Sequence, residues 1–159
     1  MILEANDMAE IIFHGSNVEV AEPKILQNGF YKDFGYGFYC TKYKKQAKRW
    51  AISRRGESVL NWYSYQPDDS LRILSFEHMT EKWLDFVVLC RKGIEHNYDI
   101  VEGPMADDQI WNYVESFLEE KISRKAFWEL VRFSYPTHQM VFCTENALKT
   151  LRFEGSDKL

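Results

Sequence analysis

Residues 33–41 read D-F-G-Y-G-F-Y-C-T, a loop with two glycines that is followed at once by a short aromatic segment. Gly35 and Gly37 are typical of a turn that needs positive φ, and residues 38–40 are predicted to form a strand. The next segment, 43–53, is predicted to be a helix because its apolar side chains recur at three- and four-residue spacing. Those side chains are Ala47, Trp50 and Ala51.

Outward from this stretch, runs of β-branched and aromatic residues bounded by turn residues predict further strands. They lie at 10–14, 59–65, 71–76, 98–101, 140–143 and 151–153. Further helices are predicted at 23–27, at 80–91, from Asp107 or Asp108 to 120, from Ser123 onward, and after Thr144 through 148. Gln-Pro-Asp-Asp at 66–69 is a turn signature that joins two of the strands. Because strands and helices mix without strict βαβα alternation, we predict an α+β domain with a split, largely antiparallel sheet core surrounded by helices.

The composition is that of one folded domain, which we take to span 1–159. The chain has 159 residues, 45% of them hydrophobic, and contains no repeat or Pro/Gly-rich linker. Its net charge of −4 argues against a generally basic nucleic-acid binder. Aromatic residues make up 16% of the chain. Most of them fall at helical spacing and are predicted to be core, whereas Tyr36, Phe38, Tyr39 and Trp50 cluster around the glycine loop.

Neither metal binding nor membrane insertion is expected. The three cysteines are widely spaced, and the four histidines lack ligand spacing. The cysteines therefore indicate buried thiols in a reducing cytoplasm. The apolar run 86–90 is five residues long, far below the roughly 20 that a membrane span needs. The acidic N-terminus has no apolar segment of the signal-peptide kind.

Three segments stand out together: Phe-His-Gly-Ser at 13–16, the glycine loop with its strand and helix, and His-Gln-Met-Val-Phe at 138–142. With these residues the chain resembles the ADP-ribosyltransferase superfamily, on the side of diphtheria toxin and the poly(ADP-ribose) polymerases. Those enzymes have a strand ending in His-Gly-Ser/Thr. A Phe-Gly-x-Gly-Ile-Tyr-Phe type loop and strand follow it, and then a helix with a further aromatic residue.

Nearly the whole chain also looks like a bacterial domain family of uncharacterised function. Its pattern is H-G-S, D-F-G-x-G-F-Y-x-T, W-L-x-F-V, Y-D-I-V-x-G-P-x-A-D-D and H-Q-x-x-F-x-T-x-x-A-L. That family is suspected to be ADP-ribosyltransferase-like and is often encoded beside a small partner, as toxin–antitoxin pairs are. The resemblance therefore implies an enzyme that uses NAD as substrate, without a metal, and a small cognate antitoxin. It leaves the acceptor open among a protein, a nucleic acid and water.

The resemblance also implies roles for individual residues. Cleavage of the nicotinamide–ribose bond passes through an oxocarbenium-like ribose, which the site must orient and stabilise. Tyr39 and Trp50 match a cage around the nicotinamide ring. His14 matches the residue that bonds ribose hydroxyls, and Gly15 and Ser16 match the residues that receive the carboxamide. Tyr36, in the glycine loop, is a further candidate for dinucleotide contact.

The position that matches the superfamily's late-strand Glu is Gln139. A neutral amide can orient the ribose 2′-hydroxyl but cannot act as a base, so Asp107 and Asp108 are candidate auxiliary acids, and Glu145 is a less favourable one. The alternative function is therefore a catalytically degenerate module that binds NAD, another nucleotide or a protein on the same fold. An RNA 2′-phosphotransferase-like use, drawing on His138, is a third.

Each of these residues also has a purely structural interpretation. His14 could be a strand-end histidine bonded to a backbone carbonyl, and Tyr39 and Trp50 could be core aromatics. Asp107 is in a position typical of a helix N-cap. The basic stretch 42–49, which reaches Arg54 and Arg55, is typical of a solvated helix face, although it could steer a dinucleotide or a nucleic acid.

Overall fold

The computed structural model describes residues 9–25, 32–53, 55–132 and 134–159. The strands are β1 (Glu10–Ser16), β2 (Phe38–Cys40), β3 (Val59–Tyr65), β4 (Ile73–Ser75), β5 (Ile100–Gly103), β6 (Gln139–Phe142) and β7 (Leu151–Lys158). The helices are α1 (Lys44–Ile52), α2 (Glu81–Arg91), α3 (Asp108–Leu118), α4 (Arg124–Val131) and α5 (Glu145–Leu148). These bounds lie within a few residues of the predicted ones, apart from β7 and the segment 23–27.

Two sheets form the core. One has the strand order β1-β3-β7 and the other β2-β6-β5-β4, and every pair of neighbours is antiparallel except β4 with β5. Among the described residues one antiparallel bridge joins the sheets, in which Phe13 and Thr41 exchange backbone hydrogen bonds of 2.8 and 2.9 Å. The predicted α+β class and the largely antiparallel pairing are thus confirmed.

The turn at 66–69 connects the two sheets and does not close a hairpin. Asp68 accepts hydrogen bonds from the backbone and hydroxyl of Ser70, at 2.9 and 2.7 Å, so the predicted turn is present. Tyr65 already pairs with β1 on one side and β7 on the other. Because both edges of β3 are occupied, β4 pairs instead with β5, in the other sheet.

Strand β7 is longer than the predicted 151–153. Gly, Ser and Asp in its second half disfavour strands locally, yet it pairs with β3 along its whole length, with one irregularity at Trp62/Tyr63. Gly155 lies against Trp62, where a Cβ would come within 2.6 Å of the indole ring. The predicted helix at 23–27 is absent from 23–25, and its last two residues lie outside the described ranges.

Side chains pack in two layers. One cluster joins the sheets through Ile12 and Tyr63 of the first and Ile100, Met140 and Phe142 of the second. The other cluster packs α2, α3 and α4 against the four-stranded sheet. The aromatic residues that were predicted to be core belong to it: Trp83, Phe86, Trp111, Phe117, Phe127 and Trp128.

The four helix N-termini after α1 are capped by the side chain that precedes each helix. Thr80, Asp107, Ser123 and Thr144 each accept a hydrogen bond from a backbone N–H in the first turn. No helix among the described residues is both long and apolar enough to cross a lipid bilayer.

Candidate functional site

His14 and Tyr39 meet where the two sheets separate. His14 Nδ1 lies 2.6 Å from the carbonyl oxygen of Tyr39, so Nδ1 carries the proton and donates it. The imidazole also stacks on Phe38, with ring centroids 4.2 Å apart. His14 is thus a strand-end histidine bonded to a backbone carbonyl, as its structural interpretation expected. The bond fixes the tautomer, because the proton on Nδ1 leaves Nε2 as an acceptor in the neutral ring.

Gly15 lies at the same point. Backbone N–H and C=O groups alternate in direction along an antiparallel strand. The backbone N–H and C=O of Phe13 point towards Thr41. The N–H and C=O of Gly15, two residues later, therefore point to the same side, where Tyr39 is the next residue opposite in antiparallel register. The bridge between the sheets stops at Phe13 and Thr41. The main chain of Gly15 is therefore aimed at the gap between β1 and β2.

Residue 15 must be glycine because α1 leaves no room for a Cβ there. A Cβ there would lie 2.1 Å from the carbonyl oxygen of Ala47 and 2.7 Å from the nitrogen of Ala51. The helix backbone thus rests directly on β1, with Trp50 half-buried between those two alanines in sequence. Ser16 is 9% exposed, and its hydroxyl accepts a hydrogen bond from Val18 N at 3.4 Å, which begins the turn after β1.

Tyr39 closes the glycine loop. Its hydroxyl donates to the carbonyl of Gly35 at 2.6 Å and accepts from the backbone N–H of Phe34 at 3.2 Å. Gly35 has a φ of +86°, as predicted, but Gly37 does not have positive φ. Gly37 lacks room for a side chain instead, because a Cβ there would lie 2.7 Å from the carbonyl oxygen of Phe142. Burial raises the pKa of Tyr39 well above its ordinary value, so the phenol stays protonated. The ammonium of Lys32 lies 4.9 Å from the centre of the ring.

Gln139 points away from this junction, into the layer between the four-stranded sheet and the helices. It is 3% exposed, and its amide nitrogen donates to Asp33 Oδ2 at 3.1 Å and to the carbonyl of Pro104 at 3.4 Å. The carboxylate in contact with Gln139 is thus Asp33. We did not predict this contact, although Asp33 begins the stretch D-F-G-Y-G.

Asp33 is the centre of a buried polar cluster. It is 4% exposed, and its Oδ1 accepts from Arg91 Nε and Nη2 at 2.8 and 2.5 Å. Its Oδ2 accepts from the backbone N–H of Ala106 at 2.7 Å. The guanidinium of Arg91 lies 4.1 Å from the centre of the Trp111 ring. A single arginine at the end of the apolar helix 80–91 was the available sequence signal for this cluster.

The predicted auxiliary acids lie elsewhere. Asp107 is the N-cap of α3 and accepts from Ile110 N at 2.9 Å, as its structural interpretation predicted. Asp108 is exposed in the first turn of the same helix, and Glu145 is exposed in the first turn of α5. In the part of the chain that the structure describes, no group of three or more His, Cys, Asp and Glu side chains could hold a metal ion.

His138 is a second tie between elements. Its Nδ1 accepts from the backbone N–H of Lys42 at 3.1 Å, so the proton is on Nε2, which donates to Glu102 at 2.7 Å. The hydrogen bond from His138 lowers the pKa of Glu102. Gln46 holds the main chain of His138 at both its N–H and its carbonyl. Both ring nitrogens are therefore engaged within the protein, which gives no support to a phosphotransferase use of His138.

The residues predicted from the resemblance thus divide into two groups. The His14 imidazole, the main chain of Gly15 and the carbonyl of Tyr39 meet at the junction of the sheets, and α1, which carries Trp50, packs on β1. Tyr36 lies in the glycine loop. The ring of Tyr39 packs instead with the cluster between the four-stranded sheet and the helices. Among the described residues, Trp50 and Tyr39 make no ring–ring contact. Gln139 belongs to the Asp33 cluster. The junction can offer a main-chain donor and acceptor and an oriented imidazole, while the nearest buried carboxylate is committed to an arginine.

Comparison with curated proteins found no match. A family model described as "Protein of unknown function (DUF3990)" matches residues 10–153, which is most of the chain and includes both the junction of the sheets and the Asp33 cluster. The chain therefore belongs to the DUF3990 family.

Proposed function

We propose that this protein is a NAD-dependent mono-ADP-ribosyltransferase-like enzyme on an ADP-ribosyltransferase-like fold. The observation that carries the proposal is the convergence of the His14 imidazole, the main chain of Gly15 and the backbone carbonyl of Tyr39 at the gap between β1 and β2. In the superfamily that the motifs resemble, those three positions receive the ribose, the carboxamide and the nicotinamide ring. The two sheets joined at one bridge support the same comparison at the level of the fold.

The roles follow from the groups available. The aimed N–H and C=O of Gly15 are complementary to the carbonyl and amine of a carboxamide, and this pair of bonds would orient nicotinamide. The His14 imidazole, oriented by its bond to the carbonyl of Tyr39, would contact the ribose hydroxyls. Trp50 would cover one face of the nicotinamide ring. Tyr39 would cover the other face only by leaving its packing against the helix-side cluster and its hydrogen bond to Gly35. Ser16 and Tyr36 would add polar contacts at the rim.

The direct test is release of nicotinamide from NAD by the purified chain, together with calorimetry of NAD binding. We expect His14→Ala to reduce both, because the ribose loses its contact with the imidazole. His78→Ala is the matched control, since His78 is an exposed loop histidine distant in sequence from the junction. Equal behaviour of the wild type and both variants, with no heat of NAD binding, would refute the proposal.

A second candidate function is supported by Gln139. Its amide is neutral, buried and committed to Asp33 and Pro104, so the chain would bind NAD or another nucleotide without turnover, or act as an interaction module. NAD binding by the wild type with no nicotinamide release would favour this function. Introducing a carboxylate tests it further, but Gln139→Glu alone would set two carboxylates against each other.

The double variant Asp33→Asn/Gln139→Glu avoids that conflict, because it keeps one carboxylate and one amide beside Arg91. Nicotinamide release gained by the double variant would identify the wild type as a degenerate binder. An active wild type that loses turnover in the double variant would identify Gln139 as part of a working site.

We further propose that the chain is the toxin of a bacterial toxin–antitoxin pair acting in the cytoplasm, with a small cognate antitoxin. The support is the composite motif, together with the absence of disulfide bonds between Cys40, Cys90 and Cys143. Expression of the chain alone should arrest growth of a bacterial host, and His14→Ala should relieve the arrest. Growth unaffected by the wild-type chain at confirmed expression would contradict this proposal.

A further inference from the structure

A basic groove lies between the N-terminal end of α1 and the segment that precedes β6. Its volume is about 590 Å³. Four cationic side chains and two tyrosines define it, and we call it the basic groove hereafter: Lys42, Lys44, Lys45, Arg49, Tyr43 and Tyr135. It uses none of the residues assigned to NAD.

The charge of the basic groove is concentrated, although Glu102 interacts electrostatically with Lys42. No carboxylate lines it, and none of its four cations takes part in an ion pair with any described residue. The chain as a whole carries −4, with 24 acidic against 20 basic side chains. The first turn of α1 contains no acidic residue, and its N-cap Tyr43 makes no side-chain cap. A patch of this sign on an acidic protein is suited to a polyanion.

Two aromatic faces lie among these cations. Tyr135 is 88% exposed and Tyr43 is 39% exposed. The ammonium of Lys42 lies 5.5 Å from the centre of the Tyr43 ring. Exposed rings interleaved with lysine and arginine are the combination with which proteins bind single strands, because bases stack on the rings while phosphates meet the cations. An acidic peptide would need the cations but not an almost fully exposed tyrosine.

The two walls of the basic groove are tied together. Gln46, which is 4% exposed, donates from Nε2 to the carbonyl of His138 at 2.5 Å and accepts from its N–H at 3.2 Å. The backbone N–H of Lys42 donates to His138 Nδ1 at 3.1 Å. These bonds fix the first turn of α1 against the chain that follows Tyr135. The spacing between the cations and that ring is therefore set before any ligand arrives, which lowers the ordering cost of binding.

We propose that the basic groove binds single-stranded nucleic acid, with phosphates against Lys42, Lys44, Lys45 and Arg49 and with bases stacked on Tyr135 and Tyr43. This inference does not depend on the proposed NAD chemistry, because no residue of the sheet junction takes part in it. It gives a binding function to the basic stretch 42–49, whose sequence is otherwise typical of a solvated helix face.

The test is fluorescence anisotropy of the full chain with fluorescein-labelled oligouridylate and oligothymidylate of equal length. For a single strand, the logarithm of the binding constant falls as the logarithm of the salt concentration rises, with a slope of about −0.7 for each phosphate that the protein neutralises. We therefore expect a slope of about −3 for four cations. Tighter binding of the ribo-oligonucleotide would identify RNA as the natural strand, and tighter binding of the deoxy-oligonucleotide would identify DNA. Affinity independent of salt would overturn the proposal.

A matched pair of charge reversals separates the groove from general charge. Lys45 and Lys125 are both exposed and both occupy the second position of a helix, in α1 and α4 respectively. Glutamate near a helix N-terminus is favourable, so Lys45→Glu and Lys125→Glu should both fold. We expect Lys45→Glu to weaken binding about tenfold or more and Lys125→Glu to leave it within about twofold. Equal loss in both variants would overturn the proposal.

The ring is tested separately. Tyr135→Ala should weaken binding about 5- to 100-fold, the range of losses that removal of one base-stacking ring produces, whereas Tyr135→Trp should retain it. Two further outcomes would refute the inference. One is a duplex of the same length binding as tightly as the single strand. The other is poly-glutamate displacing the oligonucleotide at equal charge concentration, which would point to an acidic protein partner.

Discussion

Replacing Gln139 by glutamate should destabilise the protein in a pH-dependent way. The introduced carboxyl would take the place of an amide nitrogen that lies 3.1 Å from Asp33 Oδ2, in a site where both side chains are under 5% exposed. Two unit charges about 4 Å apart repel by about 4 kcal/mol at the effective dielectric constant of protein sites. Burial and the negative neighbour both raise the pKa of the introduced carboxyl above its ordinary value of about 4.3.

The sign of the pH dependence follows from that raised pKa. The stability of the variant is retained below the unfolded-state pKa of about 4.3 and is lost as pH rises through the folded-state pKa. Remaining protonated costs about 1.4 kcal/mol for each pH unit above 4.3. The free energy of unfolding should therefore be lower than that of the wild type by about 1 kcal/mol at pH 5 and by about 4 kcal/mol at pH 7.5. At pH 7.5 keeping the carboxyl protonated costs about as much as the repulsion between two charged carboxylates.

Urea denaturation followed by tryptophan fluorescence, at both pH values, measures these losses. Gln139→Leu is the control: it removes the hydrogen bond to Asp33 without adding charge, so it should cost about 1.5–3 kcal/mol at either pH. In the Asp33→Asn background, Gln139→Glu should become neutral or stabilising, because the new carboxylate is then available to Arg91. A loss of equal size at pH 5 and 7.5 would show that Gln139 and Asp33 are not in contact.

Three further outcomes are expected. Gly15→Ala should cost at least about 2 kcal/mol in chemical denaturation, because its Cβ would overlap the backbone of α1 at 2.1 Å; a loss under about 0.5 kcal/mol would contradict that packing. Asp107→Ala should cost about 1 kcal/mol through its lost N-cap and leave nicotinamide release per folded molecule unchanged; a selective loss of turnover would reinstate Asp107 as an auxiliary acid. Burial raises the pKa of Tyr39 and Tyr63, so stability should fall as pH rises above about 10, where unfolded tyrosine ionises. Tyr63→Phe should reduce that fall in alkaline denaturation followed by tyrosinate absorbance, and an unchanged fall would exclude Tyr63 as its source.

Local patterns were sufficient where neighbours in sequence decide the structure. The cap residue Asp107 acts on a backbone group three residues away, and its position was predicted to be a helix N-cap. The helix starts at Thr80, Ser123 and Thr144 were also predicted. The glycine loop and the helix after it depend likewise on φ preferences and side-chain spacing. The second half of β7 was not predicted, because its residues have low strand propensity and it is a strand only through its pairing with β3.

The sequence named the candidate site residues, but it did not predict which residues far away in sequence they contact. The motifs named His14, Gly15 and Tyr39, and these do converge at the sheet junction. Gln139 was named as well, but its burial against Asp33, 106 positions away in sequence, has no signature in either segment. The same holds for the basic groove, where Tyr135 reaches the lysines of α1 through hydrogen bonds between Gln46 and His138.

The sequence by itself determined most of the helices and strands, the N-cap Asp107 and the α+β class, because local spacing and turn residues are sufficient for these. Tertiary structure alone decided that β3 and β4 lie in different sheets, since both edges of β3 are taken by β1 and β7. It alone placed the carboxylate of Asp33 beside Gln139. It also gathered around two tyrosines four cations that form no ion pair with a described residue. Which polar groups meet, and which charges are paired, depends on contacts between residues far apart in sequence, and no local pattern of residues contains those contacts.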